Sequence, residues 1–182
     1  MFRELLLKRV SDFCQLSSAQ LDQLQQHYEL MLRWNKTINL TRIVGIEEVV
    51  DRHYAESLFL GANLPQGPLK IADVGSGAGF PGIPIAILRP EVSVSLVESH
   101  QRKSVFLKEA CRSLPNISVI SKRAEDVRQS FDWMVSRAVS WNDLKRLTLA
   151  PKLAVIGTDA IGEFIYLPWD HERRLVVVSR ET

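Results

Sequence analysis

The sequence is short of several residue types, and each shortage narrows what the chain can be. Two cysteines among 182 residues, Cys14 and Cys111, are too few for a disulfide framework or a zinc site of Cys/His spacing. They are expected to be reduced thiols, and no metal is expected. No apolar run approaches the roughly 20 residues of a membrane span. The opening MFRELLLKRV has charges on both sides of its leucines and no small-residue cleavage site. No signal peptide is therefore expected, and the cytoplasm is the expected compartment. The net charge is only +2, which by itself names no partner. What is present is ordinary for a globular chain: 46% hydrophobic and 24% charged residues, enough to bury a core in one domain with a small extension.

The near-neutral charge is unevenly spread. Residues 101–152 hold eleven Lys/Arg, among them Arg102, Lys103, Arg123 and Arg137, against five acids. Such a segment is a candidate phosphate-facing surface, and equally a solvated helix face.

Periodicity divides the chain in two. Phe2, Leu5/Leu6, Val10 and Phe13 repeat at helical spacing, as do Leu21, Leu24, Tyr28 and Met31/Leu32 after a serine cap at 17 or 18. A third helical stripe runs Ile46, Val49/Val50, His53, Ser57, Leu60. NLPQGP at 63–68 is the clearest break, so residues 1–62 read as a helical N-terminal extension and 63–182 as the core. Beyond the break, strands at 69–74, 92–99, 116–121, 131–137 and 152–156 alternate with helices, including one over 101–114. Two more strands at 163–167 and 174–179 close the chain. The alternation predicts an α/β fold with a Rossmann-like, mostly parallel sheet, and ligands beyond the carboxyl ends of its strands.

Glycine is scarce, nine residues in all, yet four fall within DVGSGAGFPGIP at Gly75, Gly77, Gly79 and Gly82. A dinucleotide fingerprint would place glycine at position 80, where this chain has Phe80. Pro81 removes one backbone N–H from the helix start that would greet a pyrophosphate. Asp73 precedes the first glycine by two residues, where a carboxylate repels phosphate and attracts a cation. Glu98 ends the next strand, where an acid accepts bonds from ribose hydroxyls. Together these favour S-adenosylmethionine, with its ammonium and sulfonium, over NAD. The residues after the fourth strand, SRAVSW, lack the Asn/Asp-Pro-Pro-aromatic pattern of adenine-N6 methylases. Neither cysteine stands where a cytosine-C5 nucleophile would. An acceptor with its own free lone pair remains, such as guanine N7, which needs positioning and no general base.

Seven stretches occur in an order that carries a resemblance: WNKTINLT (34–41), RHYAES (52–57), DVGSGAGFPGIP (73–84), RKSVFL (102–107), RAEDV (123–127), VSRAV (135–139) and ERRLVVV (172–178). Together they resemble the bacterial 16S rRNA guanine-N7 methyltransferase family, also called the glucose-inhibited division protein B family. The resemblance implies a class I S-adenosylmethionine-dependent methyltransferase with a helical N-terminal extension. It implies 16S rRNA or the 30S subunit as partner, and a monomer is expected. It also implies cofactor contact by Gly75, Phe80, Ala124, Glu125 and Arg137, with Ala124–Glu125 flanking the adenine. Arg137 would sit near the amino-acid end or the acceptor base. The Arg52–His53 pair falls near the active site in this reading, and Arg102, Lys103 and Arg123 are further candidates for RNA contact.

The chain departs from that family at three places. The fifth strand ends in Ile156–Gly157 where relatives usually carry Lys-Gly or Lys-Ala. Glu56 stands where they tend to have Asp. The connection GTDAIG (157–162) is too short for the dozen or more residues of a helical crossover, so this shortened corner of the sheet is expected to be rearranged as a hairpin. A cofactor-binding ribosome assembly module and a small-molecule methyltransferase are the alternative functions. Among single residues, His53 reads as a core histidine bonded to a carbonyl. Trp141 reads as core or as a stacking partner for a flipped base, Trp34 as packing, and Asn35 and Asn39 as cap and turn residues.

Overall fold

A computed structural model describes residues 1–137 and 139–179; Ala138 of the VSRAV stretch and residues 180–182 lie outside the described residues. Seven strands form one sheet, β1 Lys70–Val74, β2 Ser93–Val97, β3 Ile117–Ile120, β4 Trp133–Ser136, β5 Lys152–Gly157, β6 Glu163–Leu167 and β7 Asp170–Ser179. Their spatial order is β3-β2-β1-β4-β5-β7-β6. The first five strands pair in parallel, and β7 runs antiparallel between β5 and β6.

Helical elements are α1 Phe2–Val10, α2 Ser18–Asn35, α3 Ile46–Val49, α4 Glu56–Asn63, α5 Gly82–Leu88, α6 Gln101–Ala110 and the short α7 Trp141–Leu144. The α1 stripe is the expected one, Phe2, Leu6 and Val10 buried at four-residue spacing. Ser17 and Gln20 form a reciprocal capping box at the start of α2. The Gln20 amide also donates to the Ile87 and Leu88 carbonyls at 2.9 and 3.2 Å, which ties α2 to the end of α5. Between α3 and α4, residues Val50–Ala55 widen into a π turn, with the Glu56 N–H bonded to the Asp51 carbonyl. The extra residue per turn brings His53, Tyr54, Glu56 and Ser57 all into buried positions.

One face of the sheet (Ile71, Leu96, Val135, Ile156, Leu175) shares a continuous apolar core with α1, α2, α4, α5 and α6. The opposite face (Ala72, Val74, Met134, Leu153, Val155, Val176) packs on Val127, Phe131, Leu144, Leu147 and Leu149.

The shortened corner differs from the expected hairpin. β5 and β6 are not neighbours: β6 lies at the sheet edge, two strands away and in the same direction as β5, and the hairpin is made by β6 and β7. Residues 158–162 step across β7 without a helix. Gly162 lies so close to β7 that a Cβ there would stand 2.6 Å from the Val177 carbonyl oxygen.

Candidate active site

The turn after β1 is built on close approach. Gly75, Gly77 and Gly79 have φ of 71°, 57° and 95°, a region that side chains disfavour. A Cβ on Gly75 would stand 2.5 Å from Val139 Cγ2, in the segment leaving β4. The turn is tied to β2 by the Gly75 N–H, which donates to the Val97 carbonyl at 2.9 Å.

Asp73 is fully buried beneath the start of α5. Its Oδ2 accepts the Gly82 N–H at 2.9 Å, while Oδ1 has no partner among the described residues. Burial pushes its carboxyl up to about 7, against the opposing pull of the Gly82 N–H. A lone acceptor inside protein is costly unless something completes it. Glu98 serves the turn differently: its Oε2 accepts the Gly77 N–H and its Oε1 the His100 N–H, each at 2.8 Å. Each carboxylate oxygen has a second lone pair, so this role leaves acceptor capacity for a ligand hydroxyl.

Beside the turn opens a cleft of about 350 Å³, lined by Gly75, Glu98, Arg123, Ala124, Glu125 and Asp143 among others. Its size suits a small-molecule site. Arg123, Ala124 and Glu125 reach it from a 3-10 turn, Ala124–Asp126, after β3.

On the other side of the turn lies a buried charge cluster. Glu56 is fully buried and accepts two bonds from Arg173, Nε to Oε1 at 2.6 Å and Nη2 to Oε2 at 3.0 Å. Arg137 Nη1 donates to the same Oε2 at 3.3 Å, and Arg137 Nη2 donates to His53 Nδ1 at 2.6 Å. Arginine only donates, so His53 Nδ1 is an acceptor and the ring is neutral. The proton on Nε2 then goes to Thr41 Oγ1, 2.8 Å away. Burial and then the Arg137 charge push His53 down to about 3. Its ring stacks on Phe80 with centroids 4.5 Å apart, and the Arg137 guanidinium lies 5.8 Å from the same ring centroid. Burial draws Arg137 down to about 10 while Glu56 holds it up, so it stays charged at neutral pH. Burial also opposes the charge of Arg173, but its bonds to Glu56 outweigh that and raise it.

His27 is neutral for a similar reason. Its Nε2 lies 2.9 Å from the Ala78 carbonyl, an acceptor, so Nε2 carries the proton and Nδ1 accepts from the Tyr54 hydroxyl at 2.8 Å. Burial lowers it to about 4.

Apart from Arg52, the expected site residues thus fall into three places. Gly75, Glu98, Arg123, Ala124 and Glu125 meet in the cleft, with the Gly77–Gly79 backbone as its neighbour. Asp73, Phe80, His53 and Arg137 meet in the buried layer behind it. Arg102 and Lys103 stand apart, opening α6 beside a groove of about 550 Å³ that the Thr37–Asn39 turn also lines. Two expectations are corrected. His53 is a core histidine, 4% exposed, but it engages a hydroxyl and a guanidinium instead of a carbonyl, so it has no ring nitrogen left for RNA. Arg52 pairs with Asp170 at 3.7 Å, in a recess with Glu47, Glu48 and Asp51, an acidic setting unsuited to a phosphate backbone. Trp141 packs half-buried on the second apolar core. Asn35 is the turn residue its position suggests: its Oδ1 accepts the Leu40 and Thr41 N–H groups at 2.8 and 3.0 Å. Glu56, Arg173 and His27 were not among the expected site residues: Glu56 and Arg173 lie in the RHYAES and ERRLVVV stretches with no role attached to them, and no local pattern marks His27.

Residues 20–158 match the GidB family, described as rRNA small subunit methyltransferase G. The enzyme of that name from Nitrosomonas europaea is 47% identical over 121 residues, covering 64% of this chain and 56% of its own length. The one from a Geobacter species is 40% identical over 145 residues, covering 76% and 66%. The matched part of this chain therefore spans between 56% and 66% of the length of these two relatives. Among solved structures, ribosomal protein L11 methylase from Lactobacillus delbrueckii subsp. bulgaricus aligns with a TM-score of 0.55 at 15% identity, covering 70% of this chain and 78% of that one. The fold is that of class I methyltransferases. The chain belongs to the rRNA small subunit methyltransferase G family, and the match ends at residue 158, where the short crossing over β7 begins.

Proposed function

We propose that this member of the rRNA small subunit methyltransferase G family transfers a methyl group from S-adenosylmethionine to N7 of a guanine in 16S rRNA, free or within the 30S subunit. The observation that carries the reading is the pair formed by Asp73, buried with Oδ1 unpartnered among the described residues, and the charged Arg137 behind the same turn. An ammonium and a carboxylate on one small molecule complement that pair, and the amino-acid end of the cofactor has both. Asp73 would take the ammonium, Arg137 the carboxylate, and Glu98 the ribose hydroxyls with its remaining lone pairs. Ala124 and Glu125 would flank the adenine in the cleft.

When bound, the cofactor supplies an electrophilic methyl carbon on a sulfonium. The residues of this chain orient it and exclude water. Guanine N7 attacks with a lone pair that carries no proton, so no base has to act first. The site's composition suits such an acceptor: His53 and His27, the histidines buried behind the turn, have both ring nitrogens engaged. Catalysis then rests on positioning and on a preorganised electrostatic site. Arg102, Lys103 and Arg123 would meet RNA phosphates, which makes binding fall steeply with salt.

The test is transfer of labelled methyl from S-adenosylmethionine to 30S subunits lacking the modification, with N7-methylguanine mapped by borohydride–aniline cleavage. One cleaved guanine is expected. Cofactor binding without label would favour an assembly module, a reading supported by the helix-free crossing at 158–162 and by Ile156 at the end of β5. Label on small molecules without RNA would favour a small-molecule methylase.

A further inference from the structure

Arg173 lies in β7, beyond the part of the chain that matches the family, and reaches back across 117 residues to Glu56. It takes the better share of that carboxylate, one bond to each oxygen, at 2.6 and 3.0 Å. Arg137 keeps a single bond of 3.3 Å to Glu56. Glu56 can cancel only one of the two guanidinium charges; Asp170 also faces Arg173 and Asp73 faces Arg137, and the unequal bonding to Glu56 leaves the surplus at Arg137. A buried carboxylate facing only one guanidinium would bind it through both oxygens, because the paired fork is the strongest contact the two groups make.

We propose that Arg173 and Glu56 are positioning residues: by occupying Glu56, Arg173 keeps Arg137 from being neutralised and drawn off, so that its free N–H groups remain available to an anionic group of the ligand. The C-terminal hairpin, despite its short crossing, is in this way a working part of the site. The assignment of that ligand to S-adenosylmethionine rests on the function proposed above.

Calorimetric titration with S-adenosylhomocysteine tests it. Arg173→Ala should weaken binding about tenfold, because Glu56 then claims Arg137 and the surplus charge is gone. Adding Glu56→Gln to that variant restores the surplus and should bring affinity back to within about threefold of the parent. A residue that merely supported the fold would give a double variant no tighter than the single one. Unchanged affinity in Arg173→Ala, or a double variant that recovers nothing, overturns the proposal. Should Arg173→Ala fail to fold, Arg173→Lys keeps the charge without the fork; a loss of about threefold is expected, and no loss overturns it. A crystal structure of the variant reads the same point without any ligand: Arg137 should make two bonds to Glu56 where it now makes one, and an unmoved guanidinium sinks the idea. If the parent binds no S-adenosylhomocysteine, the proposed function falls while this structural result still decides the positioning role.

Discussion

The two faces of the sheet are covered in different ways. One is overlaid by α1, α2, α4, α5 and α6, whose side chains merge with it into one core. The other receives a 3-10 turn, the four-residue α7 and irregular chain at 127–131 and 144–150. Both succeed over the middle strands: Leu153 and Val176 on the thin side are as buried as Ile71 and Leu96 on the thick side. Cover runs out on both faces at β6, where Phe164 and Tyr166, on the side of Val176, are 47% and 49% exposed and Ile165, on the side of Leu175, is 50% exposed. Parallel strands need crossovers, and crossovers normally bring helices to both faces. Here the antiparallel β7 fills the gap beside β5, so the fold tolerates a crossing of five residues. The thick face holds the buried charges of the site, and the thin face flanks its cleft.

This contrast can be broken on the thick side first. Gly82→Ala should have a large effect, because its Cβ would stand 2.6 Å from Asp73 Oδ2 and against the Leu96 side chain. A loss of about 3 kcal/mol is expected by urea denaturation; a loss under about 1 kcal/mol would show that α5 can shift. Asp73→Asn should weaken S-adenosylhomocysteine binding about thirtyfold, the worth of a charge-assisted contact. Because its acid form persists to about 7 when folded, from an ordinary value near 3.8, Asp73 itself destabilises the ligand-free chain progressively as pH rises between those values. The Asn variant should lack that part of the pH dependence, and an unchanged slope would dismiss it.

Acid acts in the opposite sense through the histidines. His27 and His53 stay neutral in the fold down to about 4 and about 3, against 6.5 when unfolded. Stability is then whole above 6.5 and falls by about 1.4 kcal/mol per pH unit for each histidine below it. Denaturation of Asp73→Asn at pH 7 and pH 5 reads this free of the opposing carboxylate, and adding His27→Gln should halve the difference; equal stability of Asp73→Asn at both pH values contradicts it. The smallest effect belongs to the thin side. Phe164→Ser should move stability by less than about 0.5 kcal/mol, while Leu153→Ala on the same face should cost about 3 kcal/mol. Equal losses would mean that β6 is better covered than its exposure shows.

Each of the seven strands overlaps the apolar stretch that announced it, because strand cores here are short buried runs bounded by turns. β7 starts at Asp170, four residues before the expected 174; DHER carries no alternation to mark a strand, since it pairs with an exposed edge. The helix read over 101–114 ends at Ala110, beyond which the apolar spacing continues but the backbone bonds tighten to three-residue turns, Arg112 to Glu109 and Leu114 to Cys111. The hairpin expected between β5 and β6 was a reading of length alone. Length excluded a crossover helix correctly, but gave no sign that five residues suffice to pass over an intervening strand. In the site, Asp73, Glu98 and Arg137 were legible because strand ends and glycine spacing place them. Glu56 was legible only as a family variation, and Arg173 only as part of a motif. What joins them is a contact across 117 residues, which no periodicity encodes.

Arg89, at the end of α5, is almost wholly buried, and its guanidinium donates to the carbonyls of Gly61, Pro65 and Gly67 at 3.2, 2.9 and 3.1 Å and to Glu91. The segment NLPQGP looks in sequence like a seam between two parts, yet this side chain stitches it from within. A protease cutting at 63–68 would nick the chain without parting it: the fragments should travel together through a sizing column and separate only in denaturant.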